Sequence, residues 1–392
     1  MHVLHVTPYF APAFVYGGPP RNILALCQGL QAAGVGVEVV TTVANGPVDL
    51  PATSTRSTAS GDTYEGVRVH YARRAFPSVF FNAAIADPIH TALARADLCH
   101  IHGLWTVPAW QAARAARQCG VPFIVSPRGM LQPAALRRRG WRKRLAFELF
   151  DRHHLMGAVR VHATVDEEAA VLRELVDPAR VVTIPNGVDL AGSDRARSGA
   201  RERLGIAAGD PMIVFLGRLH PIKRLDLLTD AFTLVRERYP SATLILAGPD
   251  EGGLARLGSR LARLGSAVKI VGTLADDEKW ALLREATALV MCSDSENFGT
   301  SVVEAMAVGR PVVVTETCPW REVADEGCGF WVPQNTRSIA DALSSLIADP
   351  AMATFMGTRG ARVARERYDW RRIGAAMAAC YAGALSARRQ VA

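Results

Sequence analysis

Short, continuously apolar runs alternate with helical patterns through the first half of the chain. The apolar runs predict strands at residues 2–7, 35–42, 98–101, 122–125, 160–164 and 181–184. Helices are predicted at residues 21–33 and 108–118. Because strands that are apolar at successive positions are covered on both faces, this half is predicted to form a parallel, doubly wound sheet.

The second half repeats the alternation. Strands are predicted at residues 212–217, 242–248, 268–271, 288–292 and 311–315, and helices at 225–238, 253–264, 277–286, 300–308 and 370–387. The turn signal Asn186-Gly187 and the polar residues 191–200 mark a boundary between the halves. The sequence therefore predicts an α/β fold with Rossmann-like domains at 1–190 and 191–368 and a final helix within 369–392. Residues 44–66, rich in Thr, Ser, Pro and Gly, are predicted to be a loop.

The composition is consistent with two domains, and the net charge indicates what kind of partner the protein binds. The 392 residues are 49% hydrophobic and 21% charged, enough for two cores, and the formal net charge of +8 indicates anionic partners. The seven cysteines are scattered without a C-x-x-C pair, which favours a reducing compartment and argues against a zinc site. We expect no signal peptide, because no positively charged region precedes an apolar stretch at the N-terminus. We expect no spanning helix, because no apolar run approaches about 18 residues.

The segment 296–304, ENFGTSVVE, joins a predicted strand to a predicted helix. Gly299 permits a sharp turn, and Thr300 or Ser301 can cap the helix. The backbone N–H groups of the first helical turn, together with the helix dipole, make an anion site suited to a phosphate. Glu296 and Glu304 would flank this site and accept hydrogen bonds from sugar or ribose hydroxyls. The alternative is a solvated loop glutamate and an ordinary helical one.

A basic loop, GRLHPIKR, begins at Gly217 after the first strand of the second half. Its Arg218 and Lys223 can neutralise a diphosphate and stabilise charge that builds on a departing phosphate. A solvated basic loop is the alternative. The carboxyl ends of parallel strands meet at one sheet edge, so this loop and the segment 296–304 are expected to be neighbours.

Two weaker signals lie in the first half. Gly17 and Gly18 follow the first strand and let backbone approach a ligand, although they form no G-x-G-x-x-G fingerprint. The segment HIHGLW places His102 at a strand end, on the same side of the strand as His100, with Trp105 just beyond. His102 could bind a sugar or an acceptor, or be structural.

Residues 137–144, RRRGWRKR, form the most basic stretch and precede several large apolar residues. This combination suits an anionic membrane surface or a polyprenyl-diphosphate acceptor. A solvated helix is the alternative. Nucleic-acid binding is not expected, since no recognised RNA motif accompanies the charge.

The chain as a whole resembles the retaining glycosyltransferases of family 4, which have the GT-B fold. The similarity rests on the ordered set of the GG loop, HIHGLW, SPRGML, IPNGVD, GRLHPIKRLD, the two glutamates of ENFGTSVVE, and YDW at 368–370. HIHGLW and SPRGML together are most similar to exopolysaccharide and O-antigen enzymes. The resemblance implies two Rossmann-like domains facing a cleft, with the acceptor bound by the first domain, the donor by the second, and the last helix crossing back to the first.

The resemblance also implies roles for individual residues. Arg218 and Lys223 would grip the donor diphosphate, Glu296 would lie beside the transferred sugar, and Glu304 would bind the ribose. The remaining donor-binding positions would be Gly17, Gly18, Gly217, Gly272, Thr273, Phe298, Gly299, Thr300 and Ser301. No metal or other cofactor is expected, and no Asp-x-Asp motif is found.

On the acceptor side the sequence departs from this family. Relatives often carry a histidine where this chain has Arg128, in SPRG. A guanidinium there could bind an acceptor phosphate. Arg128 and Trp105 are therefore the expected acceptor-side residues.

The reaction implied is hexose transfer from a nucleotide sugar to a glycan, lipid-linked acceptor in polysaccharide synthesis, in the cytoplasm or on the inner face of the cell membrane. A sugar phosphorylase, a sugar-nucleotide epimerase and a non-catalytic nucleotide-sugar-binding subunit remain as alternatives.

Overall fold

The structure, a computed structural model, describes residues 1–51, 62–74, 83–133, 145–194 and 198–391. The chain divides into two compact units. Domain 1 comprises Met1–Asn186 and Trp370–Ala392, and domain 2 comprises Gly187–Asp369. The first transition falls within the predicted Asn186-Gly187 turn.

Domain 1 is built on one sheet whose described strands follow the order β10-β9-β8-β7-β1-β2-β6-β5. All neighbours are parallel except β5, which pairs antiparallel with β6. The domain 1 strands, including the separate hairpin β3–β4, are β1 His2–Val6, β2 Gly36–Thr42, β3 Ala44–Asn45, β4 Val48–Asp49, β5 Asp62–Tyr64, β6 Val67–Ala72, β7 Leu98–His102, β8 Phe123–Ser126, β9 Arg160–Ala163 and β10 Val181–Thr183.

Helices cover both faces of this sheet, as the continuous apolar runs predicted. On β1, Val3 belongs to one buried cluster and Leu4 to the other. The helices are α1 Gly18–Ala32, α2 Ala86–Leu93, α3 Val107–Gln118, α4 Arg152–Gly157 and α5 Asp166–Arg173, with α15 Trp370–Val391 closing the domain.

Part of the segment 44–66 is regular structure, so the loop prediction is wrong for β3, β4 and β5; residues 52–61 lie outside the described residues. The segment holds few apolar residues, and its strands form through backbone pairing that hydrophobic periodicity does not register.

Helix α15 packs closely on α1. A Cβ on Gly29 would lie 2.4 Å from the Trp370 carbonyl oxygen, and one on Gly374 would lie 2.2 Å from the Gly29 carbonyl carbon. Only glycine fits at these two positions without moving a helix. The contact brings Tyr381 of α15 beneath the sheet, where it is fully buried.

Domain 2 contains a wholly parallel sheet with the order β13-β12-β11-β14-β15-β16. Its strands are β11 Met212–Leu216, β12 Thr243–Ala247, β13 Val268–Gly272, β14 Ala288–Met291, β15 Val312–Thr315 and β16 Gly329–Val332. Its helices are α6 Leu190–Asp194, α7 Ala200–Arg203, α8 Leu225–Arg238, α9 Gly258–Leu264, α10 Asp276–Glu285, α11 Thr300–Ala307, α12 Glu322–Asp325, α13 Thr336–Ala348 and α14 Pro350–Arg367.

Each sheet has a point where the strand order reverses. In domain 1 the reversal lies between β1 and β7, and in domain 2 between β11 and β14. Ligands of open α/β sheets bind at such points, beyond the carboxyl ends of the strands. No described helix is both long and apolar enough to cross a bilayer.

Candidate active site

Two loops meet at the reversal point of domain 2. The loop after β11 contains the 3-10 turn Pro221–Lys223, which His220 caps by accepting a hydrogen bond from the Ile222 amide at 3.1 Å. The loop after β14 joins it, because the Asp294 amide donates to the Ile222 carbonyl at 2.8 Å. The predicted proximity of these two loops is therefore found in the structure.

Lys223 and Glu296 form an ion pair across these loops. Their side chains are only 13% and 10% exposed, so water screens the pair weakly. The Ser293 hydroxyl donates to the same carboxylate oxygen, Oε1, at 2.8 Å. Glu296 is thus held by two donors at the carboxyl edge of the sheet.

Arg218 takes a different partner. Its guanidinium pairs with Glu251, from the loop after β12, at 2.6 Å, and 42% of the arginine side chain is exposed. Of the two predicted cations, the structure brings Lys223 to Glu296 and holds Arg218 on Glu251.

The loop that begins α11 is supported from within domain 2. Gly299 occupies the N-cap at φ 79°, and a Cβ there would lie 2.9 Å from Met291 Sδ. The Trp320 indole N–H donates to the Phe298 carbonyl, and the buried Phe298 ring packs on Trp320 and Tyr368. The Phe298 side chain therefore belongs to the core, and its carbonyl is bonded to Trp320.

The predicted cap by Thr300 or Ser301 is wrong. These residues are the first two of α11, and the N-cap, Gly299, has no side chain to accept a hydrogen bond. A helix start without a side-chain cap presents the positive end of the helix dipole to the loop, which favours an anion there.

Glu304, four residues into α11, pairs with Lys279 of α10 at 2.7 Å. Each flanking carboxylate thus has its own lysine, Lys223 for Glu296 and Lys279 for Glu304. Both glutamates and one of the two lysines, Lys223, were predicted from the sequence.

The predicted donor-side glycines lie at the same sheet edge. Gly217 directly follows β11, and the neighbouring Gly248 directly follows β12. A Cβ on Gly248 would lie 2.0 Å from the Gly217 carbonyl oxygen. Sequence reasoning missed this second glycine, whose signal is its place at the end of a predicted strand. Gly272, at φ 66°, ends the edge strand β13, with Thr273 following it.

In domain 1, Gly17 and Gly18 lie where expected, after β1. Gly17 is the N-cap of α1 at φ 80°, and Gly18 is the first helical residue. The helix thus begins earlier than the predicted residue 21, because the prolines that follow Gly18 are compatible with a first helical turn.

His102 is buried at the end of β7, as a structural role for it would require. It is 1% exposed, and both ring nitrogens have partners. The Arg128 guanidinium donates to Nδ1 at 3.1–3.2 Å. Nε2 lies 2.9 Å from Nδ1 of His5. Because arginine only donates, His102 carries its hydrogen on Nε2 and His5 carries its own on Nε2.

A second hydrogen-bonded chain runs beside the first. The Ser126 hydroxyl lies 2.6 Å from His100 Nε2 and 2.6 Å from His162 Nδ1. His100 Nδ1 lies 2.6 Å from the Tyr381 hydroxyl, and His162 Nε2 lies 2.7 Å from the Ile184 carbonyl. The predicted common side of His100 and His102 is found, with ring centroids 4.1 Å apart.

Burial keeps these histidines neutral. It lowers the pKa of His5 to about 3 and that of His162 to about 4, with the Arg128 charge acting in the same direction. The pKa values of His100 and His102 are also well below the usual range, first because of burial. Ligand atoms of His5, His100 and His102 lie within 4.8 Å of one another, but every nitrogen except His5 Nε2 is already hydrogen-bonded. This arrangement favours a neutral network supporting Arg128 over a metal centre.

Arg128 lies at the carboxyl end of β8, in the left-handed region at φ 54°. Besides His102 it donates to Asn186 Oδ1 at 3.4 Å. Both partners are neutral, and the described residues give its guanidinium no carboxylate within ion-pair distance. A partly buried cation with neutral partners favours an anionic ligand.

Trp105 depends on a residue that sequence reasoning missed. Asp151, fully buried at the end of the π-helical turn Phe147–Asp151, accepts from the Trp105 amide at 3.1 Å and from the Trp110 indole at 3.0 Å. Burial raises the pKa of Asp151 to about 6. Trp105 itself has φ 57°, so Asp151 stabilises a strained loop. The predicted basic stretch 137–144 lies outside the described residues.

Two known protein families match this chain. Residues 17–187 match the family "Glycosyl transferase 4-like domain", and residues 197–363 match "Glycosyl transferases group 1". A D-inositol 3-phosphate glycosyltransferase of Kineococcus radiotolerans is 30% identical, over 94% of this chain and 91% of its own length. A GDP-mannose:cellobiosyl-diphosphopolyprenol alpha-mannosyltransferase of Xanthomonas campestris is 28% identical, over 95% and 94%.

Solved structures share the fold. HepE of Anabaena, crystallised with UDP and glucose, superposes with a TM-score of 0.76 at 20% identity, covering 98% of this chain and 100% of its own. WaaG, a glycosyltransferase involved in lipopolysaccharide biosynthesis, gives 0.71 at 16% identity, covering 97% and 100%. Together with the two family matches, these similarities show that the chain belongs to the group 1 glycosyltransferases, family 4, and is a glycosyltransferase with the GT-B fold.

Proposed function

We propose that this glycosyltransferase transfers a hexose from a nucleoside-diphosphate sugar to a phosphate-bearing glycan acceptor, with retention of configuration. The observation that carries the donor assignment is the Lys223–Glu296 ion pair beside the uncapped start of α11, at the reversal point of the domain 2 sheet. HepE, a structural relative, has been crystallised with UDP-glucose, which supports a nucleotide-sugar donor.

The donor diphosphate is assigned to Lys223, Arg218 and the first amides of α11. Negative charge grows on the β-phosphate as the bond to the sugar breaks, and preorganised cations and amides stabilise that charge. Arg218 reaches the diphosphate by exchanging its bond to Glu251, an exposed pair that costs little to break. Two cations and a helix dipole supply the positive charge that a divalent ion provides elsewhere, so we propose transfer without added metal.

Glu296 is assigned to the sugar. Its carboxylate is fixed by Lys223 and Ser293, so it can orient sugar hydroxyls without itself moving. The acceptor hydroxyl attacks on the face from which the phosphate departs, and the departing phosphate takes its proton. One bond to the anomeric carbon is broken and one is made on the same face, which keeps the configuration.

Arg128 is assigned to a phosphate on the acceptor. Its half-buried guanidinium is held by neutral His102 and Asn186 and has donors to spare. Two relatives are named for phosphate-bearing acceptors, inositol 3-phosphate and a diphosphopolyprenol-linked glycan. His102 is thereby assigned as a positioning residue for Arg128. Trp105 lies in the loop that follows β7.

A lipid-linked acceptor and attachment to the inner membrane face in polysaccharide synthesis complete the proposal. Four apolar side chains next to the basic stretch 137–144 are 44–61% exposed: Leu145, Leu149, Phe150 and Met156. Exposed apolar groups beside cations favour an anionic bilayer surface.

The experiment is donor turnover by wild type, Lys223→Met and the control Lys269→Met, analysed by mass spectrometry and anomeric NMR. We expect transfer in EDTA, loss of at least about 100-fold in kcat/KM for Lys223→Met, corresponding to about 3 kcal/mol of lost charge stabilisation, and normal activity for Lys269→Met. Sugar phosphate formed only with inorganic phosphate would indicate a phosphorylase. A changed sugar on the donor without an acceptor would indicate an epimerase, and either result would overturn the proposal.

A further inference from the structure

The second carboxylate of the candidate donor site has an ammonium partner. Lys279 Nζ of α10 lies 2.7 Å from Glu304 Oε1 and 3.4 Å from Asp276 Oδ1. It also lies 4.4 Å from the centre of the Trp280 ring, whose residue is buried. Two carboxylates and an aromatic face thus hold the ammonium in one position.

The Lys279–Glu304 pair is shielded from water. Both side chains are 15% exposed, so the attraction between them is screened less than in a surface pair. Glu304 Oε1 is occupied by the lysine, while Oε2 has no hydrogen-bond partner among the described residues. The lysine therefore holds the carboxylate in one orientation and leaves Oε2 as its better acceptor for a ligand.

Each carboxylate oxygen has two lone pairs, so Oε1, which already accepts from the ammonium, is the weaker acceptor and Oε2 the stronger one. The two vicinal hydroxyls of a ribose bound here would therefore make unequal hydrogen bonds. The ammonium also offsets the glutamate charge, which would otherwise repel a diphosphate bound at the start of the same helix. Both effects depend on the position of Lys279 and not on its direct contact with the donor.

We infer that Lys279 is a positioning residue that makes Glu304 recognise one of the two ribose hydroxyls and lowers its repulsion toward the donor diphosphate. The inference rests on the proposed function, since Glu304 is assigned to the ribose there. It identifies a selectivity element that the sequence motif of two glutamates does not contain.

The test is calorimetric titration of whichever of UDP, GDP and ADP binds wild type most tightly, and of its 2′-deoxy and 3′-deoxy forms. Wild type should bind one deoxy form about 10-fold more weakly than the parent nucleotide and the other less than about 2-fold more weakly. The reason is that a strong hydrogen bond to a charged group is lost with only one of the two forms. In Lys279→Met the parent nucleotide should bind about 10-fold more weakly, and the two deoxy penalties should become similar. Lys279→Arg should stay within about 3-fold of wild type, since its charge is kept.

Lys269→Met, on the edge strand β13, is the matched control and should behave as wild type. Equal deoxy penalties in wild type would overturn the inference even if Lys279→Met failed to fold. Unchanged affinity and selectivity in a folded Lys279→Met would overturn it as well. If wild type bound none of the three nucleotides, the proposed function itself would fail, a result distinct from either of these.

Discussion

Acidification should destabilise domain 1 through its buried histidine network. His5, His100, His102 and His162 are neutral in the fold because burial holds their pKa values far below 6.5, and the Arg128 charge acts in the same direction. The unfolded chain takes up protons near pH 6.5 and the folded chain does not. Stability is therefore full above pH 6.5 and falls as the pH drops toward the folded pKa values.

The size of the effect follows from these pKa values. Between pH 7.5 and 5.5 each of the four histidines lowers the free energy of unfolding by about 1 kcal/mol, or by about 4–6 kcal/mol together. His154, with a pKa lowered to about 4 by burial, adds about 1 kcal/mol, and protonation of Asp151, with its raised pKa, offsets about the same amount. A loss of this size approaches the whole stability of a typical domain.

Domain 2 is the internal control, since its one histidine is His220. Hydrogen exchange followed by mass spectrometry at pH 7.5, 6.5 and 5.5, corrected for intrinsic rates, reports both domains in one sample. We expect peptides of β1, β7 and β9 to lose protection by pH 5.5 while those of β11 and β12 keep it.

A variant tests the cause of this acid sensitivity. His162→Gln should reduce the acid-induced loss of stability in domain 1 by about 1 kcal/mol, whereas the exposed His153→Gln should leave it unchanged. Equal loss in both domains, or retained protection in domain 1 at pH 5.5, would refute the reasoning.

Three further predictions follow from single contacts. Glu251→Gln should raise nucleotide affinity by about 2–5-fold in calorimetry, because Arg218 loses a competing carboxylate. Gly248→Ala should lower the free energy of unfolding, measured in urea, by about 3 kcal/mol, because its Cβ would lie 2.0 Å from the Gly217 carbonyl oxygen. The free energy of unfolding of Asp151→Asn, relative to that of wild type, should rise by about 2 kcal/mol between pH 4.5 and 7.5. The reason is that wild type is destabilised when the buried Asp151 ionises above its raised pKa.

One measurable result would contradict each of these predictions. Weaker nucleotide binding by Glu251→Gln would mean that Glu251 supports the site. Gly258→Ala, where a Cβ meets nothing within 4 Å, is the control for Gly248→Ala, and equal costs would exclude the steric explanation. A pH-independent difference for Asp151→Asn would contradict the raised pKa.

The sequence located most of the strands because they are continuous apolar runs, whereas β6 and β16 were not predicted. Strands β11, β12, β14 and β15 fall where those runs lie, and their order then fixes which loops flank the reversal point. Gly299 and its neighbouring glutamates were recognisable because a turn, a helix start and two carboxylates occur within nine residues. Such local patterns can be recognised in a sequence without knowledge of the packing.

Contacts between distant residues were not predictable in this way. Asp151 supports Trp105 from 46 positions away, and Lys279 meets Glu304 from 25 positions away. The burial of His102 depends on Arg128 and on packing within domain 1. No periodicity or spacing encodes these pairs, because tertiary packing alone sets their distances. The edge strand β5 was missed since backbone pairing, not burial, defines it.

The central claim is that Lys223, paired with Glu296 at the start of α11, holds the diphosphate of a nucleotide sugar. The most direct measurement is calorimetric titration of the nucleoside diphosphate in EDTA into wild type, Lys223→Met and Lys269→Met. We predict binding by wild type and Lys269→Met, and at least about 10-fold weaker binding by a folded Lys223→Met. Equal affinities for all three proteins, or wild-type binding only after a divalent ion is added, would contradict it.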